Sequence, residues 1–204
     1  KLPKPRKIIA EKYVAGLSLF KSRRSPIKLS ANESALGPSP KAVKSYSSIG
    51  KGFVRYPDSD GTFFRKVLAK KFRLKRDRII LGSGSDQIFE LVCKLFLSKG
   101  DEVIVPEYSF IIYRIYSRMF GAKVRYAKEE NFKPSVQSIL DQVSRKTKIV
   151  FLANPNNPTG TYLDKFEILK LRKKLRSDIL LVIDNAYYEY INDPNYSSGI
   201  QLFS

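Results

Sequence analysis

Residues 148–160 read KIVFLANPNNPTG. Ile149, Val150, Phe151, Leu152 and Ala153 follow one another with no polar residue between them. An unbroken apolar run of this length, closed by turn residues, is the pattern of a strand buried on both faces. Such a strand requires helices on both sides of a parallel sheet. The run then breaks into Asn154-Pro155-Asn156-Asn157-Pro158-Thr159-Gly160. Two prolines, three asparagines and a glycine predict a rigid, irregular loop at the carboxyl end of the strand. In open α/β sheets that edge is where ligands bind, and an asparagine amide there can donate to a ligand oxygen.

The same pattern repeats outward from this stretch. Residues 78–81 (RIIL), 102–106 (EVIVP), 123–126 (KVRY) and 179–184 (ILLVID) also read as strands. Helices are predicted between them over 62–72, 85–98, 109–120, 135–143 and 164–176. In 85–98, Ile88, Leu91, Val92 and Leu95 recur at i, i+3, i+4 and i+7, one helical face. Asp164 with Glu167 three residues on has the form of a capping box. Strands alternating with helices predict an α/β domain with a mostly parallel sheet. Residues 1–50 are rich in Pro, Ser and Lys and lack strong periodicity. They read as an arm and connecting segment, distinct from residues 51–204.

Composition removes several chemistries. The 204-residue chain has no histidine, which excludes a Ser-His-Asp triad, a Cys-His pair or a His-ligated zinc site within it. Its one cysteine, Cys93, excludes an intrachain disulfide and a Cys₄ site, and no metal site is expected. Cys93 sits among Ile88, Leu91, Val92 and Leu95 and reads as a buried core thiol. The apolar runs are too short to span a bilayer. The basic start has no apolar segment behind it, so no signal peptide and a cytoplasmic location are expected. The net charge is +19, which suits nucleic acid, anionic lipid or phosphorylated small molecules. Its clusters at 21–24, 70–78 and 170–176 are scattered along the chain and read as solvated surface. A basic nucleic-acid-binding module is the alternative of another class; it needs aromatics interleaved with Lys and Arg on one surface. The tyrosines fall instead at strand ends.

Four groups carry candidate chemistry. Gly82-Ser83-Gly84-Ser85-Asp86 follows a predicted strand and opens a helix. Its glycines suit a tight turn, its free N–H groups an anion, and Ser85 can cap the helix; a purely structural turn is the competing reading. Asp184 ends an apolar strand, where a carboxylate needs a cation or donors. It reads either as a helix N-cap or as the partner of a protonated ligand nitrogen, with Tyr187 facing the same cleft. Tyr108 stands just after a strand and can stack on a flat ring or simply pack. Tyr56, in Arg55-Tyr56-Pro57-Asp58, is open to the same two readings. A phosphate cradle, a stacking aromatic, an amide for a ring oxygen and a carboxylate for a ring nitrogen together describe a pyridoxal 5′-phosphate pocket.

NPNNPTG, IDNAY, GSGSDQ and RYPD, in combination with the opening KLSANESALGPSPKAV, resemble the fold-type I pyridoxal-phosphate-dependent aminotransferases, on their histidinol-phosphate branch. The resemblance runs from about Tyr13 onward. It implies a three-layer α/β/α fold with a mostly parallel sheet, truncated before the C-terminal small domain. Residues 1–50 would be the arm and part of the small domain, and 51–204 the large cofactor-binding domain, incomplete. It also implies that Ser85 and Asp86 hold the cofactor phosphate through their backbone and that Tyr108 stacks on the ring. Asn157 and Tyr187 would bond the phenolic oxygen, and Asp184 the pyridine nitrogen. Tyr56 would reach a partner's cofactor phosphate across a homodimer, and Tyr13 and Asn32 would lie near substrate. The substrates implied are histidinol phosphate and 2-oxoglutarate, in histidine biosynthesis, with aromatic amino-acid aminotransferases as the neighbouring alternative. The Schiff-base lysine of that family lies beyond its D-x-A-Y strand. No lysine follows Asp184 here, so no catalytic residue is assigned within the chain and the lysine is expected after Ser204. Asn185 stands where the family usually has Glu.

Overall fold

The computed structural model describes Glu11, Tyr13 and residues 28–202. The chain divides into two compact units, one of Lys1–Glu11 with Leu81–Ser204 and one of Lys12–Ile80.

The first unit is built on four strands, β1 (Glu102–Pro106), β2 (Lys123–Ala127), β5 (Thr147–Ala153) and β6 (Leu180–Asp184). They pair in the order β2-β1-β5-β6, every pair parallel. A two-residue antiparallel pair, β3 (Glu129–Glu130) and β4 (Lys133–Pro134), stands apart from it. Five helices accompany the strands: α3 (Gly84–Phe96), α4 (Ile111–Met119), α5 (Val136–Asp141), α6 (Lys165–Lys174) and α7 (Gly199–Leu202).

The alternation of side chains along β1 and β5 explains the unbroken apolar runs. Val103, Val105, Ile149, Phe151 and Ala153 pack on one face with Phe89 and Cys93 of α3 and Tyr113 of α4. Ile104, Val150 and Leu152 pack on the other with Val136 and Ile139 of α5 and Ile168 and Leu171 of α6. Each fully buried aliphatic or aromatic side chain contributes roughly 1.5–3 kcal/mol. Helices cover both faces, so the unit is the expected three-layer α/β/α arrangement. From β1 the chain crosses by α4 to β2 on one side, and β5 and β6 build on the other. The strand order therefore reverses between β1 and β5, which opens a crevice at their carboxyl ends.

One strand prediction fails. Residues 78–81 form no strand: a 3₁₀ turn, Arg76–Arg78, runs into an extended Ile79, and Ile80 is 76% exposed. A run of β-branched residues encodes an extended backbone, but a strand also needs a neighbour, and among the described residues none lies alongside. The predicted helix at 109–120 begins later, at Ile111, because Ser109 turns back and its hydroxyl donates to the Pro106 carbonyl at 2.7 Å. The Asp164–Glu167 capping box forms as read.

The second unit carries α1 (Pro40–Ser47) and α2 (Thr62–Phe72). The stretch read as lacking regular structure thus contains a helix. Its signal is Pro40 at the first position after Ser39. Asp58 receives the Thr62 and Asp60 N–H groups at 2.6 and 3.1 Å and fixes the start of α2. The basic cluster at 21–24 lies outside the described residues. Cys93 is fully buried, and burial pushes its thiol up to about 11. Among the described residues no helix is long and apolar enough to cross a membrane, and no cluster of potential metal ligands forms.

Candidate functional site

The loop after β5 is held by its own asparagines. Asn154 is fully buried; its amide donates to the Leu163 carbonyl at 3.0 Å and its oxygen accepts the Leu163 N–H at 2.7 Å. This clamp ties the two ends of the loop together. Inside it, Asn156 donates to Thr159 Oγ1 at 2.8 Å, and its backbone joins Gly160 and Thr161. The Asn154-Pro155 and Asn157-Pro158 bonds are both cis. Asn156 Nδ2 also reaches the Tyr108 carbonyl at 3.4 Å, which connects the ends of β1 and β5 across the crevice. Asn157 is half-buried, and its amide makes no hydrogen bond to any described residue.

Parallel pairing of β5 with β6 sets Asp184 beside Ala153, one residue before this loop. The carboxylate is half-buried and has two donors. Tyr113 O–H donates to Oδ2 at 2.7 Å and Ala186 N–H donates to Oδ1 at 3.0 Å. No lysine or arginine among the described residues pairs with it. The N-cap reading of Asp184 is realised only as a local turn: the chain continues into a 3₁₀ turn, Tyr188–Tyr190, whose N-cap is Tyr187. Tyr187 is half-buried there, its ring 6.3 Å from that of Tyr190.

Helix α3 runs away from the carboxyl edge toward the start of β1, so its N-terminus lies on the ligand side of the sheet. Its N-cap residue makes no side-chain bond to the first turn; Gln87 Oε1 accepts the Ser83 N–H at 2.7 Å and leaves the first-turn N–H groups open. Ser83, not Ser85, is the N-cap, which corrects the reading of Ser85 as a capping residue; Ser85 lies inside the first turn. Gly84 has φ +72°, so the turn requires a glycine there, whereas a Cβ on Gly82 would meet only the mobile end of the Ile88 side chain, at 2.9 Å. Asp86 directs its carboxylate to α4, where Tyr116 O–H donates to it at 2.7 Å. That bond, with burial second, pushes the Tyr116 phenol up to about 12. The Ser85 and Asp86 N–H groups are therefore left at an uncapped start of a 13-residue helix, a ready anion site. Tyr108 is partly exposed after β1, its ring tilted 55° to that of Phe132 at 5.5 Å. Its N–H donates to Glu129, whose carboxyl burial pushes up.

Six sequence-predicted residues, Ser85, Asp86, Tyr108, Asn157, Asp184 and Tyr187, thus belong to one unit and to one edge of its sheet. The remaining three belong to the other unit. Tyr56 is fully exposed, Tyr13 is 53% exposed, and Asn32 is exposed at φ 52°. A cavity of about 310 Å³ in that unit is lined by Asp60, Thr62, Arg65, Arg76 and Asp77, and by none of the candidates.

Sequence reasoning missed two contributors. Tyr113, fully buried, is the donor to Asp184 from 71 residues away. Its only sequence signal is a tyrosine on the core face of α4, which must find a partner when buried. Asn185 is structural: its amide donates to the Asn154 carbonyl at 2.6 Å and its oxygen accepts the Gly199 N–H at 2.6 Å.

Comparison with known proteins decides the family. Aminotransferase class I and II matches residues 24–202. The chain belongs to the class I and II aminotransferase family. Among the chain's curated relatives, the histidinol-phosphate aminotransferase of Pelagibacter ubique is 51% identical over 202 residues, covering 99% of this chain and 56% of the relative. That of Paramagnetospirillum magneticum is 42% identical, covering 98% and 55%. The chain spans about half the length of the curated relatives it matches. Of solved structures, the putative histidinol-phosphate aminotransferase of Erwinia carotovora atroseptica superposes with a TM-score of 0.82 at 25% identity, over 94% of this chain and 55% of that one. The Sinorhizobium meliloti histidinol-phosphate aminotransferase, solved in complex with pyridoxal-5′-phosphate, gives 0.78 at 23%, over 81% and 45%. The fold is that of the fold-type I aminotransferases.

Proposed function

We propose that the chain is the cofactor-binding portion of a pyridoxal-phosphate-dependent aminotransferase. The whole protein exchanges histidinol phosphate and 2-oxoglutarate for imidazole-acetol phosphate and glutamate, in histidine biosynthesis. What carries this reading is the half-buried Asp184 carboxylate at the end of β6, supplied with two neutral donors and no described cation. The donor set suits the cofactor: an uncapped helix start for a phosphate, an uncommitted amide at Asn157 for an oxygen, and this carboxylate for a protonated ring nitrogen.

Bound here, pyridoxal 5′-phosphate supplies an electron sink for the carbon that loses its proton. The chain's residues hold it in the state that can do so. Asp184 keeps a proton on the ring nitrogen. The Ser85 and Asp86 N–H groups, at the positive end of α3, take the phosphate. Tyr108 stacks on the ring, and Asn157 and Tyr187 donate to its phenolic oxygen. Tyr56 contributes to the cofactor phosphate of a second copy in a homodimer, and Tyr13 and Asn32 lie near substrate. Residues 1–50 form the arm and part of the small domain, and 51–204 the large domain. No lysine follows Asp184 in these 204 residues, and this reading assigns the reactive amine to none of the lysines before it. The enzyme is cytoplasmic. Family membership leaves the nucleic-acid-binding alternative without support.

The test is turnover by the whole protein. Asp184→Ala should lower kcat for histidinol phosphate with 2-oxoglutarate by several orders of magnitude while the fold persists. Near-normal kcat in that variant sinks the Asp184 assignment. A kcat/KM higher for aromatic amino acids than for histidinol phosphate moves the substrate to the neighbouring branch.

A further inference from the structure

We propose that Tyr113 is a positioning residue for the cofactor site, one that aims the Asp184 carboxylate and holds the shared proton on the ring nitrogen; this rests on the reading of Asp184 given above. Tyr113 lies on the core side of α4, fully buried. Its ring is stacked on Phe151 of β5, with centroids 5.0 Å apart and planes 3° off parallel. The edges of Phe89 and Phe110 close on it at 4.9 and 5.9 Å. Three aromatic rings therefore fix where the hydroxyl points. It points at Asp184 Oδ2, 2.7 Å away. Burial first, and then the charge of Asp184, push the phenol well above its ordinary range, so it remains a donor at every working pH.

Two consequences follow for the carboxylate. First, with Tyr113 on Oδ2 and the Ala186 N–H on Oδ1, rotation about its side-chain bonds is blocked from both oxygens. Its remaining lone pairs have one fixed direction. Second, a donor on a carboxylate stabilises the charged form. A proton shared between Asp184 and a ring nitrogen is thereby kept on the nitrogen, where an electron sink requires it. The same helix makes a parallel bond one turn later, Tyr116 to Asp86, at the other end of the site. That pair serves as the internal control.

The test uses pyridoxine 5′-phosphate labelled with ¹⁵N in the ring, which lacks the aldehyde and so cannot condense with the chain's lysines. The full chain binds the probe, and the ring ¹⁵N resonance reports whether that nitrogen is protonated. In the unmodified chain it is expected at the protonated position. Asp184→Asn is expected to abolish that position. Tyr113→Phe keeps all three ring contacts and removes only the hydroxyl. It is expected to move the resonance part-way toward neutral pyridine and to weaken binding by about three- to tenfold, as befits one charge-assisted bond acting at one remove. Tyr116→Phe is expected to leave the resonance in place. Should Tyr113→Phe fail to fold, 3-fluorotyrosine at 113, a stronger donor of nearly the same shape, is expected to move the resonance's loss of the protonated position to higher pH. If Asp184→Asn abolishes the protonated signal but neither change at 113 moves it, the role of Tyr113 is wrong and the reading of Asp184 stands. If the unmodified chain shows no protonated bound probe, or Asp184→Asn leaves it intact, the underlying reading falls and Tyr113's role with it.

Discussion

Asn154 shows how one side chain can hold a loop. Its amide and carbonyl both serve the backbone of Leu163, which is fully buried. Asn154→Ala leaves a buried N–H and a buried C=O unpaired, at roughly 1–3 kcal/mol each. A loss of about 2–4 kcal/mol in urea unfolding is expected, and a loss under ~0.5 kcal/mol contradicts the clamp. Cys93 gives a pH signature. Burial raises its thiol from an ordinary value of 9.0 to about 11. Above pH 9 the unfolded chain has lost that proton and the folded chain has kept it. The contribution is therefore intact below about pH 9 and is lost as pH climbs toward 11, since stability falls wherever the unfolded state binds fewer protons. The stability difference between the native chain and Cys93→Ala should shrink from pH 8 to pH 10.5; a constant difference rules this out. Much of the candidate site was legible at this scale because a polar or aromatic residue at the end of an apolar strand, or in the turn just after it, announces itself. Asp184, Asn157 and Tyr108 all do so. Tyr113 does not: its partner lies 71 residues away, and only packing brings the two together. Asn185 was likewise illegible, since its role is to bind the backbone of Asn154 and Gly199.

Among elements, the parallel strands were readable because burial on both faces leaves no polar residue in β1 between Val103 and Val105, nor in β5 between Ile149 and Ala153. The failure at 78–81 has the converse cause: composition cannot say whether a strand has a neighbour. The pair β3–β4 was unreadable for another reason, being two residues on each side with no alternation to detect. Helix α2 offers a stabilising change. Its C-cap, Arg73, sits at φ 55°, ψ 39°, a left-handed conformation that costs a side-chain-bearing residue about 1 kcal/mol. Arg73→Gly should raise the stability of the Lys12–Ile80 unit by roughly 0.5–1 kcal/mol, read as a higher denaturant midpoint. A lower midpoint means the arginine side chain matters more than the backbone strain.

At the scale of the molecule, the sheet brings residues from four separate stretches to one edge. Ser85 and Asp86 come from the start of α3, Tyr108 from the end of β1, and Asn157 from the loop after β5. Asp184 and Tyr187 close the set at the end of β6. The reversal of strand order between β1 and β5 is what opens the crevice there. The surplus of 38 Lys and Arg over 19 Asp and Glu is a property of the whole surface and adds attraction for any phosphorylated ligand without choosing its site. Specific binding must therefore be separated from this general attraction. The most direct measurement is a backbone amide NMR titration of the chain with pyridoxine 5′-phosphate. The account predicts saturable shifts concentrated at Ser85, Asp86, Tyr108, Asn157, Asp184 and Tyr187. Shifts that instead spread over the basic stretches 70–78 and 170–176, with these six unmoved, would contradict it.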